Sequence, residues 1–263
     1  MSARPRVAVL KFASCDGCQL QLLNLEEELL DLAERVEIAR FLEATSRVLP
    51  GPYDLAILEG SITTERDVAR IRELREASRI VVAIGACATA GGVQALRNGA
   101  DAAAWKASVY PDPDLVAMLP RSEPASAFVK VDHEVSGCPP SRRELSRAIA
   151  RALLGAEPDL PGHSVCLECK RAGHVCVLVA RGVPCLGPVT RAGCGALCPA
   201  LGRDCYGCFG PCDDPDPAAL ARRFRALGLS EEDAARRFRG VAGEAPAWSS
   251  AAADLASEEG GDA

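Results

Sequence analysis

Cys15, Cys18, Cys87 and Cys138 are scattered through the first half of the chain, and nine more cysteines crowd between 166 and 212. Thiolates bind zinc or iron–sulfur clusters, close into disulfides, or act as redox pairs. The nine are Cys166, Cys169, Cys176, Cys185, Cys194, Cys198, Cys205, Cys208 and Cys212. Nine thiols within 47 residues supply two four-thiolate sites with one left over. Grouping by neighbourhood gives Cys166, Cys169, Cys176 and Cys185, then Cys194, Cys198, Cys205 and Cys208. Cys212 is then the spare, because C-Y-G-C closes a set compactly; exchanging Cys198 for Cys212 is the open alternative.

A disulfide framework would require export. The first apolar run, residues 6–12, is too short for a signal peptide and has the pattern of a strand. No run approaches the roughly 20 apolar residues of a membrane span. The expectation is a cytoplasmic protein with no membrane contact, whose cysteines bind metal. The arginines are spread among acids along the helices and aromatic residues are few, so no nucleic-acid surface is expected. The formal charge of −6 comes mostly from the end of the chain, with Asp254, Glu258, Glu259 and Asp262 and no basic residue from 251 onward. Residues 166–212 carry five Lys or Arg and two Asp or Glu, a basic scaffold that suits anionic clusters and zinc–thiolate sites alike. His163 and His174 are read as surface residues. No Ser–His–Asp or phosphate-loop pattern is present, so no bond-making catalytic residue is expected.

The elements that must position the first four thiols alternate in type. Strands are expected at 6–12, 35–42, 54–60, 79–85 and 126–132. Helices are expected at 20–32, 64–77, from about Gly91, and at 141–154. Residues 99–125 read as a long excursion before the last strand. Continuous apolar strands alternating with amphipathic helices imply a parallel sheet covered on both faces. The fold class is therefore α/β, a flavodoxin-like doubly wound parallel sheet over 1–155, followed by a small irregular cysteine-rich domain with short helices over 156–240. Within it, Asp216, Pro217 and Gly228 bound one helix, and Ser230 with Asp233 caps another. Residues 241–263 read as a flexible acidic tail.

In an open parallel sheet the loops after the strands gather at one edge, where ligands bind. Cys15 and Cys18 follow the first strand, Cys87 the fourth and Cys138 the fifth, so all four thiols converge there. Glu59 follows the third strand to the same edge; proton or hydrogen-bonding work and a plain loop carboxylate are equally open to it. Four thiolates suit zinc or a [4Fe–4S] cluster. Gly17, Gly85 and Gly137 beside the ligands favour the bulkier cluster, because glycine lets backbone N–H groups approach its sulfides.

The strings S-C-D-G-C (14–18), L-E-G-S-I (58–62), G-A-C-A-T-A-G-G-V (85–93), S-G-C-P-P (136–140) and C-L-G-P-V-T (185–190) resemble the small subunit of [NiFe]-hydrogenases. The likeness runs in order to about residue 212. It implies that Cys15, Cys18, Cys87 and Cys138 hold a proximal [4Fe–4S] cluster facing the nickel–iron centre of a large subunit. It implies a distal cluster at Cys166, Cys169, Cys176 and Cys185, with Cys166 where exported members have histidine. It implies a medial cluster at Cys194, Cys205 and Cys208, with Cys198 supplying a fourth ligand that many members lack. The cofactors are then three [4Fe–4S] clusters. The departures resemble the cytoplasmic, multimeric members, above all the delta subunit of the sulfhydrogenase type. The related subunit of respiratory complex I carries adjacent cysteines at its first ligand position, where this chain has C-x-x-C.

The resemblance implies an electron-relaying subunit that leaves hydrogen chemistry to its large subunit and passes electrons to NAD(P)-linked flavin and iron–sulfur subunits. Small subunits serving a deazaflavin-linked or heterodisulfide-reductase-linked hydrogenase are the alternative within the class. A zinc-stabilised binding module without redox function is the rival from another class.

Overall fold

The central strands are apolar on both faces, and such strands are stable only when helices cover both sides of a parallel sheet. The computed structural model describes residues 4–258. Five strands, β1 (Arg6–Lys11), β2 (Glu37–Phe41), β3 (Tyr53–Glu59), β4 (Ser78–Ile84) and β5 (His133–Val135), form one sheet in the order β2-β1-β3-β4-β5. Every pairing is parallel. The order reverses at β1, so the crevice beyond the C-terminal ends of β1 and β3 is the place for a ligand site. Lys11 and Glu59 are paired at those ends.

Helices α1 (Gly17–Leu23) and α2 (Glu27–Arg35) follow β1. The single helix expected over 20–32 is broken at Glu26, whose φ is 54°. The break lets Leu22 and Leu25 both bury, while α2 itself buries no residue fully. Helix α3 (Glu65–Glu76) buries Val68, Ile71 and Leu74, and Thr64 caps it by accepting from the Asp67 N–H. Helix α4 (Gly85–Ala90) starts directly at the end of β4, not near Gly91, and Gly91 ends it in the left-handed region. Helix α5 (Ala102–Val109) lies inside the long excursion.

The expected strand over 126–132 is the main correction. Residues 125–127 form a 3-10 turn, and Phe128, Val129 and Val131 pack against the core without pairing. The chain joins the sheet only after the Asp132 N–H donates to the Val81 carbonyl, so β5 is 133–135. An apolar run that packs as a flap reads like a strand in sequence, because periodicity reports burial and not pairing. Helix α6 (Arg142–Leu153) then buries Leu145, Ala148, Ile149 and Ala152, one helical stripe.

The compact units divide between Asp159 and Leu160. The second unit contains α7 (Val165–Arg171), α8 (Val177–Ala180), α9 (Leu197–Ala200), α10 (Pro217–Ala226), α11 (Glu231–Phe238) and α12 (Pro246–Glu258). Asp216 and Ser230 cap α10 and α11 as their residue types prescribe. The last helix departs from the flexible tail expected from 241: Trp248 is fully buried, and Phe224 and Phe238 pack beside each other 6.2 Å apart. Glu259 and Asp262 of the acidic end lie outside the described residues. Among the described residues no helix is long and apolar enough to cross a membrane.

Candidate iron–sulfur sites

The edge site is built from the turns after β1, β3, β4 and β5. After β1 the chain turns through Asp16, held at φ 66°, and delivers Cys15 and Cys18 on either side of Gly17. Glu59, 1% exposed at the end of β3, accepts from the Cys18 N–H at 3.0 Å and from the Gln19 amide at 2.7 Å. Burial pushes the Glu59 carboxyl above the usual range, against those two donors. Its carboxylate therefore fixes the start of α1, and with it Cys18.

Cys87 lies on α4 and Cys138 in the turn after β5, and the two turns are tied by the Ala86 N–H donating to the Gly137 carbonyl at 2.7 Å. The Cys87 thiol donates to Gln94 at 3.2 Å. Two glycines leave the room these thiols use. A Cβ on Gly85, at φ 82°, would stand 2.2 Å from the Cys18 sulfur; one on Gly92, at φ 65°, would stand 2.4 Å from the Cys87 sulfur.

Burial pushes the Cys18 thiol far up and Cys87 to about 11, and each is raised further by its neighbours' charge: Cys18 by Glu59, Cys87 and Cys138, and Cys87 by Cys138 and Cys15. Burial and the charge of Cys15 also raise Cys138. The structure therefore brings the four together at the sheet edge, where like charges repel. Cys18, Cys87 and Cys138 ionise most readily around a cationic centre, and binding that centre releases their protons.

In the second unit Cys166 and Cys169 stand three residues apart on α7, hence on one face. Cys176 precedes α8, and Cys185 follows in the loop. Burial raises Cys166 to about 11, and charge from Cys185, Cys176 and Cys169 adds to it. A Cβ on Gly187 would meet the sulfurs of both Cys166 and Cys185 at 3.4 Å. These four thiols form a second group. Four of the five remaining cysteines are brought together as two neighbouring pairs. The charge of Cys198 acts on Cys194, and that of Cys208 on Cys205, which burial raises to about 12. The Cys205 N–H donates to the Cys185 sulfur at 3.2 Å, joining the loops. Cys212 has a different setting: beyond burial and backbone hydrogen bonds, the charges acting on it are those of Arg191 and Asp213. Among the described residues no three His, Cys, Asp or Glu side chains gather at the distances of a single metal ion.

Residues 15–152 match the family model described as the 20 Kd subunit of NADH ubiquinone oxidoreductase. The delta subunit of sulfhydrogenase 2 from Pyrococcus furiosus is 36% identical over 234 residues, covering 89% of this chain and 98% of that one. This chain belongs to that family, as a hydrogenase small subunit. A chain of an F420-non-reducing hydrogenase from Methanococcus voltae is 34% identical over 87% of this small subunit and 90% of its own length. The matching chain in the crystal structure of an NAD+-reducing [NiFe]-hydrogenase is 32% identical, with TM-score 0.56, covering 60% of this chain and 96% of that one. Hydrogenase small subunits are electron-transfer chains that carry iron–sulfur clusters.

Three supports of this small subunit escape a reading of its sequence. Gln94 and Gly92 sit against Cys87, and Glu168 of α7 accepts from the Gly193 and Ala196 N–H groups around Cys194. The C-L-E-C spacing offers a signal for Glu168, since it places a carboxylate between two thiols on one short helix. Gln94 offers none, because its position depends on the tight turn after α4.

Proposed function

We propose that this small subunit holds three [4Fe–4S] clusters and relays electrons between the nickel–iron centre of a hydrogenase large subunit and an NAD(P)-linked flavin and iron–sulfur partner in the cytoplasm. The grouped thiols support this best: two complete quartets, lying against glycines where a side chain would crowd sulfur, and two further pairs. Cys15, Cys18, Cys87 and Cys138 would hold the proximal cluster. Cys166, Cys169, Cys176 and Cys185 would hold the distal one, and Cys194, Cys198, Cys205 and Cys208 the medial one. When bound, the clusters supply one-electron transfer. The chain's own residues fix sulfur positions, exclude water and place backbone N–H groups around the thiolates. Glu59 has the structural task of holding Cys18; its buried carboxylate is occupied by two donors.

The nicotinamide acceptor rests on the likeness to the NAD+-reducing enzyme. The Methanococcus voltae relative belongs to an enzyme named as not reducing F420, which speaks against a deazaflavin acceptor. Hydrogen-dependent reduction of NAD(P)+ by the purified complex tests the nicotinamide reading.

The test of the core proposal is iron and acid-labile sulfide on anaerobically purified protein, with an absorbance spectrum. About twelve of each per chain, and a brown band bleached by dithionite, is the expected result. Colourless protein carrying about three zinc ions would overturn it.

A further inference from the structure

Arg237 of α11 reaches into the cysteine loops. Its Nη2 donates to the Pro184 carbonyl and to the Asp204 carboxylate, and those two residues immediately precede Cys185 and Cys205. Asp204 is 9% exposed. The Cys205 N–H, next along the chain from Asp204, donates to the Cys185 sulfur at 3.2 Å. The carboxylate therefore sits beside the contact that joins the two cysteine loops. Above the same segment lies Trp248, with ring atoms where a Cβ on Gly207 would stand. The Arg237 Nε and the Trp248 indole N–H are buried donors that the described residues do not satisfy. Charge and unspent donors therefore sit together over the loops that carry Cys185 and Cys205.

We infer that Arg237 and Asp204 form a charge pair that sets the reduction potential of the iron–sulfur centres held by Cys185 and Cys205. The inference rests on the proposed function. Reduction adds one negative charge to a centre, so a nearby cation favours the reduced state and a nearby anion opposes it. Partly buried charges keep this influence because solvent and salt screen them little. The pair also anchors both loops, which makes Arg237 a positioning residue as well.

Sign separates the two roles. Arg237→Gln leaves the Asp204 charge unmatched and lowers the potential; Asp204→Asn leaves the arginine unmatched and raises it. A brace without electrostatic influence moves both variants in the same direction or neither. The experiment is an EPR-monitored redox titration of the hydrogenase complex carrying each variant, with Arg237→Lys as the charge-conserving control and iron content measured throughout. The expected result is a change of about tenfold in the reduction equilibrium, ~59 mV for one electron, in opposite directions for Gln and Asn, with Lys near the parent. Equal potentials, shifts of the same sign, or iron loss in all three variants overturn the charge-pair inference while leaving the proposed function standing. Parent protein without iron overturns the proposed function itself.

Discussion

At residue 85 a methyl group has no place to go. Gly85 and Gly92 both hold positive φ, where an L side chain is strained by about 1–2 kcal/mol, and each backs onto a sulfur. Gly85→Ala is expected to displace Cys18 and remove about four of some twelve irons, leaving the far-ultraviolet circular dichroism of the sheet intact; iron analysis checks it. Cys212→Ser is expected to keep all the iron, whereas Cys198→Ser alters one centre's EPR signal. Loss of a whole centre in Cys212→Ser with Cys198→Ser silent would reverse the ligand assignment. The thiols of the edge are legible in sequence because strand alternation dictates where loops go, and C-x-x-C fixes two of them locally. What stays hidden is support from distant backbone. Arg237 lies far from Cys185 in the chain, and nothing about an arginine on an amphipathic helix reveals that it caps a cysteine loop.

At the level of elements, α3 and α6 can be read almost to their ends, since Thr64 and Ser141 are strong caps and the apolar stripes are clean. The flap at 125–132 defeats the same reading because Phe128, Val129 and Val131 satisfy a strand pattern while packing from the side. Asp132 ends that flap. Its Oδ2 accepts from the Val81 N–H at 2.8 Å and from Arg75 at 2.5 Å. Burial opposes its charge, but these donors win and hold the carboxyl below the usual range. A depressed folded value means that the stabilisation is complete above the ordinary carboxylate pKa, about 3.9. It is lost as pH falls through the lower folded value. Asp132→Asn is therefore expected to destabilise the sheet unit by about 1–3 kcal/mol at neutral pH, with the gap to the parent closing below about pH 4. Denaturant titrations at both pH values measure this. In the second unit α12 escapes notice because its alanines and serines form a weak pattern. Trp248→Ala should cost about 3–5 kcal/mol there, read as a lower unfolding midpoint for that unit.

Over the whole molecule, the two units depend on metal to different degrees. The sheet unit buries long apolar strands against helices and carries its own core. The cysteine loops of the second unit use thiols as part of their core, with Cys185 and Cys205 clustered beside Val165, Val177 and Ala196. Stripping iron with acid and a chelator is expected to open residues 160–212 to hydrogen exchange while β1, β3 and β4 stay protected. Exchange measured by mass spectrometry would show the contrast; uniform protection after stripping would refute it. The contrast extends to the order in which the protein is made. The edge quartet draws on turns that follow β1, β4 and β5, so a nascent chain emerging from the ribosome displays Cys15, Cys18 and Cys87 long before Cys138 exists to close the set. Cys166, Cys169, Cys176 and Cys185 leave the ribosome almost together. On the proposed assignment, iron delivery to the edge waits on completion of the sheet, while the later group is complete almost as soon as its short stretch of chain emerges.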